Sequence, residues 1–340
     1  MILVTGGTGL VGSHLLFRLV SENKTVRAIY RREHKLEKVR HVFSYFSDKA
    51  EELYQKIEWV EADLTDIPKL EDAFRDITHV YHCAAFVSFE PDKYRTLRRI
   101  NIGGTANIVN LCVHHKVEKL VYVSSVAAIG HTANPEDLIK ETTPWNPEED
   151  NSVYAITKYG AELEVWRGSQ EGLSVIIVNP GVVIGGGYWR GGSSGSLFTR
   201  VFRGNKYYTS GSTGYVDVFD VANPMIQLME SPIENERFIL VSENLSFRAF
   251  NDSIAEHLNV PKTTKRVKPW QLSIGWRLDW LNHKLFGKRR KLTKQLAKTL
   301  NTTTKYDNHK VKAALNYEFK PVEDAIRDTC QLFLEDLNDG

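Results

Sequence analysis

A short apolar run at the start of the chain leads directly into a glycine-rich turn and then into a helical pattern. Residues 1–4 (Met-Ile-Leu-Val) predict a buried strand, residues 5–12 (Thr-Gly-Gly-Thr-Gly-Leu-Val-Gly) a turn, and residues 13–20 a helix. Glycines let a backbone approach a pyrophosphate closely, and the start of a helix offers free N–H groups and the positive end of its dipole. This order of elements predicts a cradle for the phosphates of a dinucleotide.

The spacing of the glycines has two interpretations. Gly7, Gly9 and Gly12 fit the general dinucleotide fingerprint. Gly6, Gly9 and Gly12, preceded by Thr5, fit the spacing of short-chain dehydrogenases and reductases. A tight strand-to-helix turn that binds no ligand is the alternative that this loop alone leaves open.

Composition narrows the class of protein. A chain of 340 residues suits one large or two smaller domains, and a net charge of +2 gives no strong field for a nucleic acid. Cys83, Cys112 and Cys330 are too few and too widely spaced for a metal cluster or a disulfide framework. A strand that begins at Met1 leaves no room for a signal peptide, and no apolar run is long enough to span a bilayer. We therefore expect a cytoplasmic protein with no metal site and no nucleic-acid partner.

Strand and helix patterns alternate through the first half of the chain. After the first strand, apolar runs predict strands at residues 25–30, 56–61, 79–82, 119–123 and 173–178. Helical patterns lie between them, for example at residues 102–115 and 155–171, and the charged stretch 31–55 predicts an extended surface helix. Strands that alternate with helices predict the α/β class, with a Rossmann-type, doubly wound parallel sheet covered on both faces.

The pattern changes after the sixth strand. Glycine-rich stretches at residues 185–187 and 191–195 predict mobile loops over a site. No second cradle and no internal repeat follow, so we expect an NAD(P)-binding domain over residues 1–180 and a smaller, mixed substrate-binding domain over 181–340. Residues 238–241 have a further strand pattern, which predicts a return to the main sheet.

Three polar residues are candidates for chemistry. Tyr154 and Lys158 lie one helical turn apart, so both are on the same face of a predicted helix. An ammonium group beside a phenol lowers the phenol pKa, which lets the hydroxyl exchange a proton near neutral pH. Ser125 follows the fifth strand, and the carboxyl ends of such strands face the ligand crevice. Taken singly, a solvated helix face and a serine that caps a helix are the alternatives.

Together, these motifs resemble those of the extended short-chain dehydrogenases/reductases, the epimerase/dehydratase type, over essentially the whole chain. The resemblance implies that Ser125, Tyr154 and Lys158 are catalytic. Ser125 is preferred over Ser124 because it stands five residues before Gly130, as the family serine does. Residues 216–222 match the late family motif that anchors the substrate domain.

The same resemblance implies a set of cofactor contacts along the chain. Residues 5–12 match the cradle, 63–64 the pair at the adenine, 82–85 the segment along the cofactor, and 179–181 the border of the nicotinamide. The residues expected to bind the cofactor are Gly6, Gly9, Leu10, Val11, Gly12, Arg31, Arg32, Asp63, Leu64, Ala84, Ala85, Asn101, Tyr154, Lys158 and Pro180.

The end of the second strand bears on the choice of cofactor. Enzymes with the ordinary NAD fingerprint place an acidic residue there, which binds the ribose 2′-hydroxyl. Here Tyr30 is followed by Arg31 and Arg32, with Glu33 one step later. Guanidinium groups suit a 2′-phosphate, so we expect NADP(H). NAD(H), with solvated arginines, is the alternative.

The expected reaction is hydride transfer between the nicotinamide and a carbonyl or secondary alcohol. Tyr154 donates the proton, Ser125 holds the reacting oxygen, and Lys158 binds the nicotinamide ribose. Val126 and Ala127 stand where related dehydratases carry an Asp-Glu pair, so we do not expect dehydration.

Resemblance to dihydroflavonol-reductase-like and 3β-hydroxysteroid-dehydrogenase-like members implies a relatively apolar small-molecule substrate. A nucleotide-sugar epimerase or reductase with tightly bound NAD and a non-catalytic NADP-sensing module are the alternatives. We expect a monomer or a homodimer.

One helical pattern, at residues 269–286, is apolar on more than one side. The residues that share one face are Trp270, Ile274, Leu278, Leu281 and Leu285. Trp276 and Trp280 lie off that face, and a basic run follows at residues 287–291. Segment 270–291 therefore predicts a hydrophobic lid, a peripheral contact with a membrane, or an ordinary packed helix with a solvated basic end.

Overall fold

The strands follow the alternation expected from the sequence. The structure, a computed structural model, describes residues 1–132, 134, 136–190, 194–287, 290 and 292–338. In chain order, the strands of these residues are β1 (Ile2–Thr5), β2 (Val26–Tyr30), β3 (Ile57–Glu61), β4 (His79–His82), β5 (Lys119–Val123), β6 (Ser174–Pro180), β7 (Val182–Ile184), β8 (Tyr207–Tyr208), β9 (Ser212–Asp217), β10 (Glu236–Leu240), β11 (Glu243–Ser246) and β12 (Lys265–Arg266).

Helices connect and cover these strands. In chain order they are α1 (Leu10–Ser21), α2 (Leu36–Ser44), α3 (Ala50–Gln55), α4 (Ile67–Ala73), α5 (Tyr94–Leu97), α6 (Gly104–His114), α7 (Val153–Gln170), α8 (Gly195–Phe202), α9 (Phe219–Glu230), α10 (Phe247–His257), α11 (Pro269–Phe286), α12 (Lys294–Thr299), α13 (His309–Leu315) and α14 (Val322–Asn338). Among the residues described, none of these helices is long and apolar enough to cross a membrane.

The central sheet is parallel throughout. In the described chain its seven strands lie in the order β10-β6-β5-β4-β1-β2-β3, and all neighbouring pairs run in the same direction. This order confirms the expected Rossmann-type, doubly wound α/β fold. The strand order reverses between β1 and β4, and in open α/β sheets the ligand crevice lies at the carboxyl ends of the strands at such a point.

Alternate residues of the central strands lie on opposite faces of the sheet. Leu3 belongs to the core formed with α4, α6 and α7, whereas Val4 belongs to the core formed with α1 and α9. In β5, Leu120 belongs to the core with α4, α6 and α7, and Val121 belongs to the core with α1 and α9. A strand that is buried on both faces needs apolar residues at nearly every position, which explains the continuous apolar runs in the sequence.

The second half of the chain builds a smaller mixed unit. β7 runs parallel and β11 antiparallel to β9 in a three-stranded sheet. A third core, around Tyr215, Phe250 and Phe333, packs α8, α10 and α14 together. β10 and α9 instead return to the central sheet, where β10 pairs with β6 and α9 joins the α1 core. The domain division at residue 180 stays a prediction.

The charged stretch 31–55 differs from the single extended helix that we expected. It forms α2 and α3, which are separated by a reversal at residues 45–49. Phe43 of α2 thereby meets Tyr54 of α3 with ring centroids 6.4 Å apart, and Phe46 packs edge-on against Phe219 of α9 at 4.9 Å. The break has a physical reason, because burying these large rings removes more apolar surface from water than one continuous helix would.

Residues 185–187 are packed, which differs from the mobile loop that we expected. A Cβ atom at Gly185 would lie 2.8 Å from Val218, and one at Gly186 would lie 2.8 Å from Leu332. These glycines therefore permit a close approach of chain segments. In the second glycine-rich stretch, residues 191–193 lie outside the described residues.

The turn after β1 needs glycine at two positions. Gly6 has φ +72°, and a Cβ atom there would lie 2.5 Å from the amide nitrogen of Ala84. A Cβ atom at Gly12 would lie 2.2 Å from the carbonyl oxygen of Gly6, whereas at Gly9 the same distance is 3.3 Å. The added atom at Gly7 would meet side chains and no backbone among its three nearest neighbours, with the end of Leu16 closest at 2.8 Å. The backbone therefore favours the Gly6, Gly9, Gly12 spacing.

Substitution of Gly12 tests this turn. We expect Gly12→Ala to lower the free energy of unfolding by about 1–3 kcal/mol, because the new methyl group must push backbone atoms apart. Gly103→Ala is the matched control, since a Cβ atom at Gly103 would meet nothing within 4 Å. Urea unfolding of both variants measures the difference, and equal effects of the two substitutions would contradict this account of the turn.

Candidate active site

The amino end of α1 faces the crevice at the carboxyl ends of β1 and β4. Gly9 precedes the first turn of α1, and its amide donates to the carbonyl of Gly6 at 2.9 Å. The first N–H groups of a helix have no acceptor within the helix, and the first turn of α1 carries no acidic side chain. From the segment after β7, the Tyr188 hydroxyl donates to the carbonyl of Thr8 in the glycine turn at 3.1 Å. The cradle is therefore shaped for an anion and braced by the smaller unit.

Cationic side chains gather where β2 ends. Arg31 is half-exposed and lies 3.5 Å from the carboxylate of Asp63. Burial acts to raise the pKa of Asp63, but hydrogen bonds from Thr65 and the charge of Arg31 outweigh it and hold that pKa below its ordinary value. Burial and the charges of Arg31, Arg32 and Lys38 lower the pKa of nearby Lys35. This corner therefore concentrates positive charge.

Ser125 and Tyr154 meet at the carboxyl end of β5. Ser125 precedes the short 3-10 turn Val126–Ala128, and its Oγ accepts from the amide of Ala127 at 3.2 Å. Tyr154 lies in the first turn of α7, which Ser152 caps by accepting from the amide of Ala155 at 3.1 Å. Burial raises the pKa of Tyr154 to about 12, and a hydrogen bond with Ser125 offsets part of that rise.

Lys158 is buried one turn further along α7. Its Nζ donates to the Tyr122 hydroxyl at 2.7 Å and to the carbonyl of Val123 at 2.8 Å. Burial lowers its pKa to about 7, while the charge of Glu162 acts in the opposite direction. The hydrogen bonds of Lys158 thus go to β5, and its predicted effect on the pKa of Tyr154 stays a prediction.

A buried carboxylate that we did not single out from the sequence joins this site to the sheet. Glu162, 1% exposed, accepts from Asn179 Nδ2 at 2.6 Å and from Arg237 at 3.2 Å. The same Asn179 amide donates to the carbonyl of Ser125 at 2.9 Å. Glu162 lies four residues after Lys158, on the same face of α7, and this spacing is the one signal that the sequence offered.

Asn101 connects α7 with the segment after β4. It lies in the π-helical turn Arg98–Gly103, a type of distortion that often occurs at functional sites. Its side chain exchanges two hydrogen bonds with the backbone of Phe86, at 2.8 and 3.0 Å, and donates to Thr157 at 3.2 Å. Asn101 is only 1% exposed, and its contact with a cofactor stays a prediction.

The remaining predicted residues lie around the same crevice in different environments. Ala84 is half-buried beside Gly6, and Ala85 is exposed. Leu64 is buried against Gly104. The other three positions are the buried Pro180 at the end of β6 and the half-buried Leu10 and Val11 of α1. Contact of any of these residues with a cofactor stays a prediction.

One histidine cluster lies away from this crevice. Glu71, His114 and His115 place their ligand atoms within 4.8 Å of one another. His115 Nε2 is 2.8 Å from the Glu71 carboxylate. His114 ends α6 and His115 follows it, just before the amino end of β5, so the cluster lies at the opposite edge of the sheet from Ser125. It takes no part in the site.

The fold and the site together define a class of protein. A doubly wound parallel sheet, a glycine turn at a helix start, and a serine, a tyrosine and a lysine at the same edge are typical of dinucleotide-dependent oxidoreductases of the short-chain type. The chain belongs to the NAD dependent epimerase/dehydratase family, whose family model matches residues 2–240.

Relatives similar in sequence include a reductase, and a solved epimerase shares the fold. The chain is similar to "Sterol demethylase protein B" of Methylococcus capsulatus, 27% identical over 289 residues, which cover 84% of each protein. It is also similar to "Dihydroflavonol 4-reductase" of Dianthus caryophyllus, 28% identical over 251 residues that cover 70% of this chain and 68% of the relative. In fold it resembles UDP-glucose 4-epimerase of Thermotoga maritima, with a TM-score of 0.76, 21% identity and 99% of each chain covered. The protein is therefore an NAD(P)-dependent enzyme of this family.

Replacing Lys158 by methionine tests how the charge of this buried lysine affects the stability of the fold. Because burial favours the neutral amine, we expect Lys158→Met to be at least as stable as the wild type below pH 7. Wild-type stability should rise between pH about 7 and 10.5, the folded and ordinary pKa values of Lys158, since the unfolded chain binds more protons in that window. The variant should lack this part of the rise, which thermal unfolding as a function of pH measures.

Lys119→Met is the matched control. Lys119 is a second buried lysine, whose Nζ donates to the carbonyls of Leu228, Ser231 and Ile233 at 3.1, 2.7 and 2.8 Å. Its removal leaves three carbonyls without this donor, so we expect a loss of about 1–3 kcal/mol. An equal loss in Lys158→Met would show that Lys158 serves the fold in the same way.

Proposed function

We propose that the protein is an NADP(H)-dependent reductase or dehydrogenase that acts on a carbonyl or secondary alcohol of a relatively apolar small molecule. The observation that carries the proposal is the placement of Tyr154 next to Ser125, at the carboxyl end of β5 beside the glycine cradle, with Lys158 one helical turn further on. A nicotinamide cofactor, when bound, supplies or accepts the hydride. Gly6 and Gly12, where a Cβ atom would collide with backbone, fix the tight turn, and Gly9 at the start of α1 leaves room for close approach of its phosphates.

The side chains have distinct roles in this proposal. Tyr154 donates the proton of its hydroxyl to the substrate oxygen in the reducing direction, and Ser125 holds that oxygen by a hydrogen bond. Lys158 binds the nicotinamide ribose, and its charge favours the phenolate that Tyr154 becomes. Asn101 fixes the catalytic helix against the segment after β4.

Apolar groups beside Tyr154 support an apolar substrate. The ring of Phe89 meets that of Tyr154 with centroids 5.4 Å apart. Phe89 and the neighbouring Val87 keep 46% and 49% of their surface exposed, so both are available to a ligand. Relatives named for a sterol and for a dihydroflavonol agree with a substrate that carries an extended ring system. A cytoplasmic location and a monomeric or dimeric state stay predictions.

Tyr154→Phe tests the acid/base role. We expect turnover to fall by about 10²–10⁴-fold, the usual contribution of a positioned proton donor, with little change in dinucleotide affinity. The assay follows NADPH absorbance with a cyclic ketone that the wild type reduces. Tyr159→Phe, on the same helix but stacked on Trp145, is the control and should keep full activity. Unchanged turnover in Tyr154→Phe would refute the assignment.

The positive corner at the end of β2 supports the choice of NADP(H). Arg31 and Arg32 follow the strand, and Lys35 and Lys38 add charge beside them. A 2′-phosphate would relieve the repulsion among these cations, whereas a 2′-hydroxyl would leave it in place.

Substitution of these arginines tests the cofactor. We expect Arg31→Ala with Arg32→Ala to weaken NADPH binding by roughly 10–100-fold and to leave NADH binding nearly unchanged. Only NADPH has a 2′-phosphate that would lose charge-assisted hydrogen bonds in this variant. Titration of nicotinamide fluorescence measures both affinities. Arg40→Ala on α2, where Arg40 pairs with Glu37, is the control. Purified protein that carries stoichiometric, tightly bound NAD would contradict this cofactor and favour the epimerase alternative.

A further inference from the structure

The fold leaves a row of large apolar side chains in solvent along α11. The row consists of Trp270, Ile274, Leu278, Leu281 and Leu285, with exposed fractions between 44% and 64%. The spacing of three and four residues places all five on one side of the helix over its whole length. Large apolar patches on a soluble surface are uncommon and mark interaction sites. We propose that this row, with the basic residues beside it, docks the protein on an anionic lipid surface.

The opposite side of α11 explains why the row is exposed. Leu272 is buried, and Trp276 is half-buried on the inner side of the helix. A Cβ atom at Gly275 would lie 3.1 Å from Leu292, which shows how closely the next segment approaches this side. The helix therefore has two apolar sides, and the fold uses only one of them. An ordinary packed helix needs only the inner side.

The charge of the segment around α11 is almost entirely positive. Residues 262–298 contain 12 Lys and Arg and a single acidic residue, Asp279, for a net charge of +11. Since the whole chain has a net charge of +2, the other residues together carry −9. Among the described side chains, Arg277 and Lys284 are exposed immediately beside the row. Each cation held near an anionic leaflet adds about 1 kcal/mol to binding.

A second element extends the basic and aromatic surface. β8 pairs in parallel with β12, and this register places Tyr207 opposite Lys265, just before α11 begins. Tyr207 is 58% exposed, and both residues of β12, Lys265 and Arg266, are exposed as well. Aromatic rings such as those of Tyr207 and Trp270 prefer the boundary between lipid headgroups and acyl chains. Apolar, aromatic and cationic groups on one surface together suit a peripheral membrane contact.

A second copy of the chain suits this surface less well than lipid does. In a twofold dimer the same patch faces itself, so the cations of one copy would face those of the other. Like charges opposed across an interface destabilise it. An anionic leaflet removes this conflict, because it accepts the apolar row and balances the cations at once. The charges around α11 therefore select the lipid surface as the occupant.

Sedimentation with vesicles tests the proposal on the full chain. We expect binding to equimolar phosphatidylcholine and phosphatidylserine, much weaker binding to phosphatidylcholine alone, and release at high salt, because salt screens the charges. Leu278→Gln with Leu281→Gln should lower binding about tenfold or more, since two apolar anchors are lost. Ile67→Gln, at a site 54% exposed on α4, is the matched control and should bind as the wild type does.

Removal of charge provides a second, independent variant. Arg277→Gln with Lys284→Gln should weaken binding to the phosphatidylserine vesicles about tenfold and leave binding to phosphatidylcholine unchanged. Failure of the wild type to bind phosphatidylserine vesicles, or equal binding by the leucine variant, overturns the proposal. So does a lipid-free dimer in analytical ultracentrifugation that the leucine variant abolishes, since that result assigns the row to a second copy. None of these outcomes depends on the proposed reaction.

Discussion

The buried carboxylate of Glu162 is the interaction on which the geometry of the site depends. It receives hydrogen bonds from Asn179 at the end of β6 and from Arg237 in β10, and its charge acts to raise the pKa of Lys158. Burial raises the pKa of Glu162, while Ser124, Arg237, Asn179 and Lys158 all act to lower it. A buried charge is costly unless it is paired and hydrogen-bonded, so Glu162 depends on its donors Asn179 and Arg237. The carbonyl of Ser125 belongs to the same set, through Asn179.

This network also unites the two halves of the chain. Arg237 belongs to β10, a strand from the second half that returns to the central sheet, and it also donates to the carbonyl of Glu141. Asp220 of α9 accepts from the Tyr317 hydroxyl at 2.7 Å and from the amide of Lys320 at 2.8 Å, which ties the C-terminal region to the face of α1. The site is thus held by contacts between distant segments of the sequence, and a break in either half moves the residues of the other.

The sequence was most informative where one local rule decides the structure. Buried parallel strands need apolar runs, so each central strand lies within two residues of its predicted position. Proline at the start and glycine at the end mark α11, whose bounds, Pro269–Phe286, match the predicted helix. The structure of residues 31–55 and 185–187 differs from the sequence prediction because these segments pack against Phe219 and Val218, which lie far along the chain. The cradle and the Ser125–Tyr154 pair follow from motifs, whereas Glu162 and Tyr122 belong to no motif and emerge only from contacts.

The position of α11 gives a physical link between the docking surface and the reaction. α11 packs on α12, where Lys294 forms an ion pair with Asp150 at 3.1 Å. Asp150 lies two residues before Ser152, the cap of α7, which carries Tyr154. A protein held on lipid by α11 would therefore keep the segment that enters α7 close to the bilayer surface. Apolar small molecules partition into lipid because of their apolar surface, so a lipid-bound enzyme would meet the proposed apolar substrate at a higher local concentration than one in water. Membrane docking and an apolar substrate, inferred from separate residues, are consistent with one another.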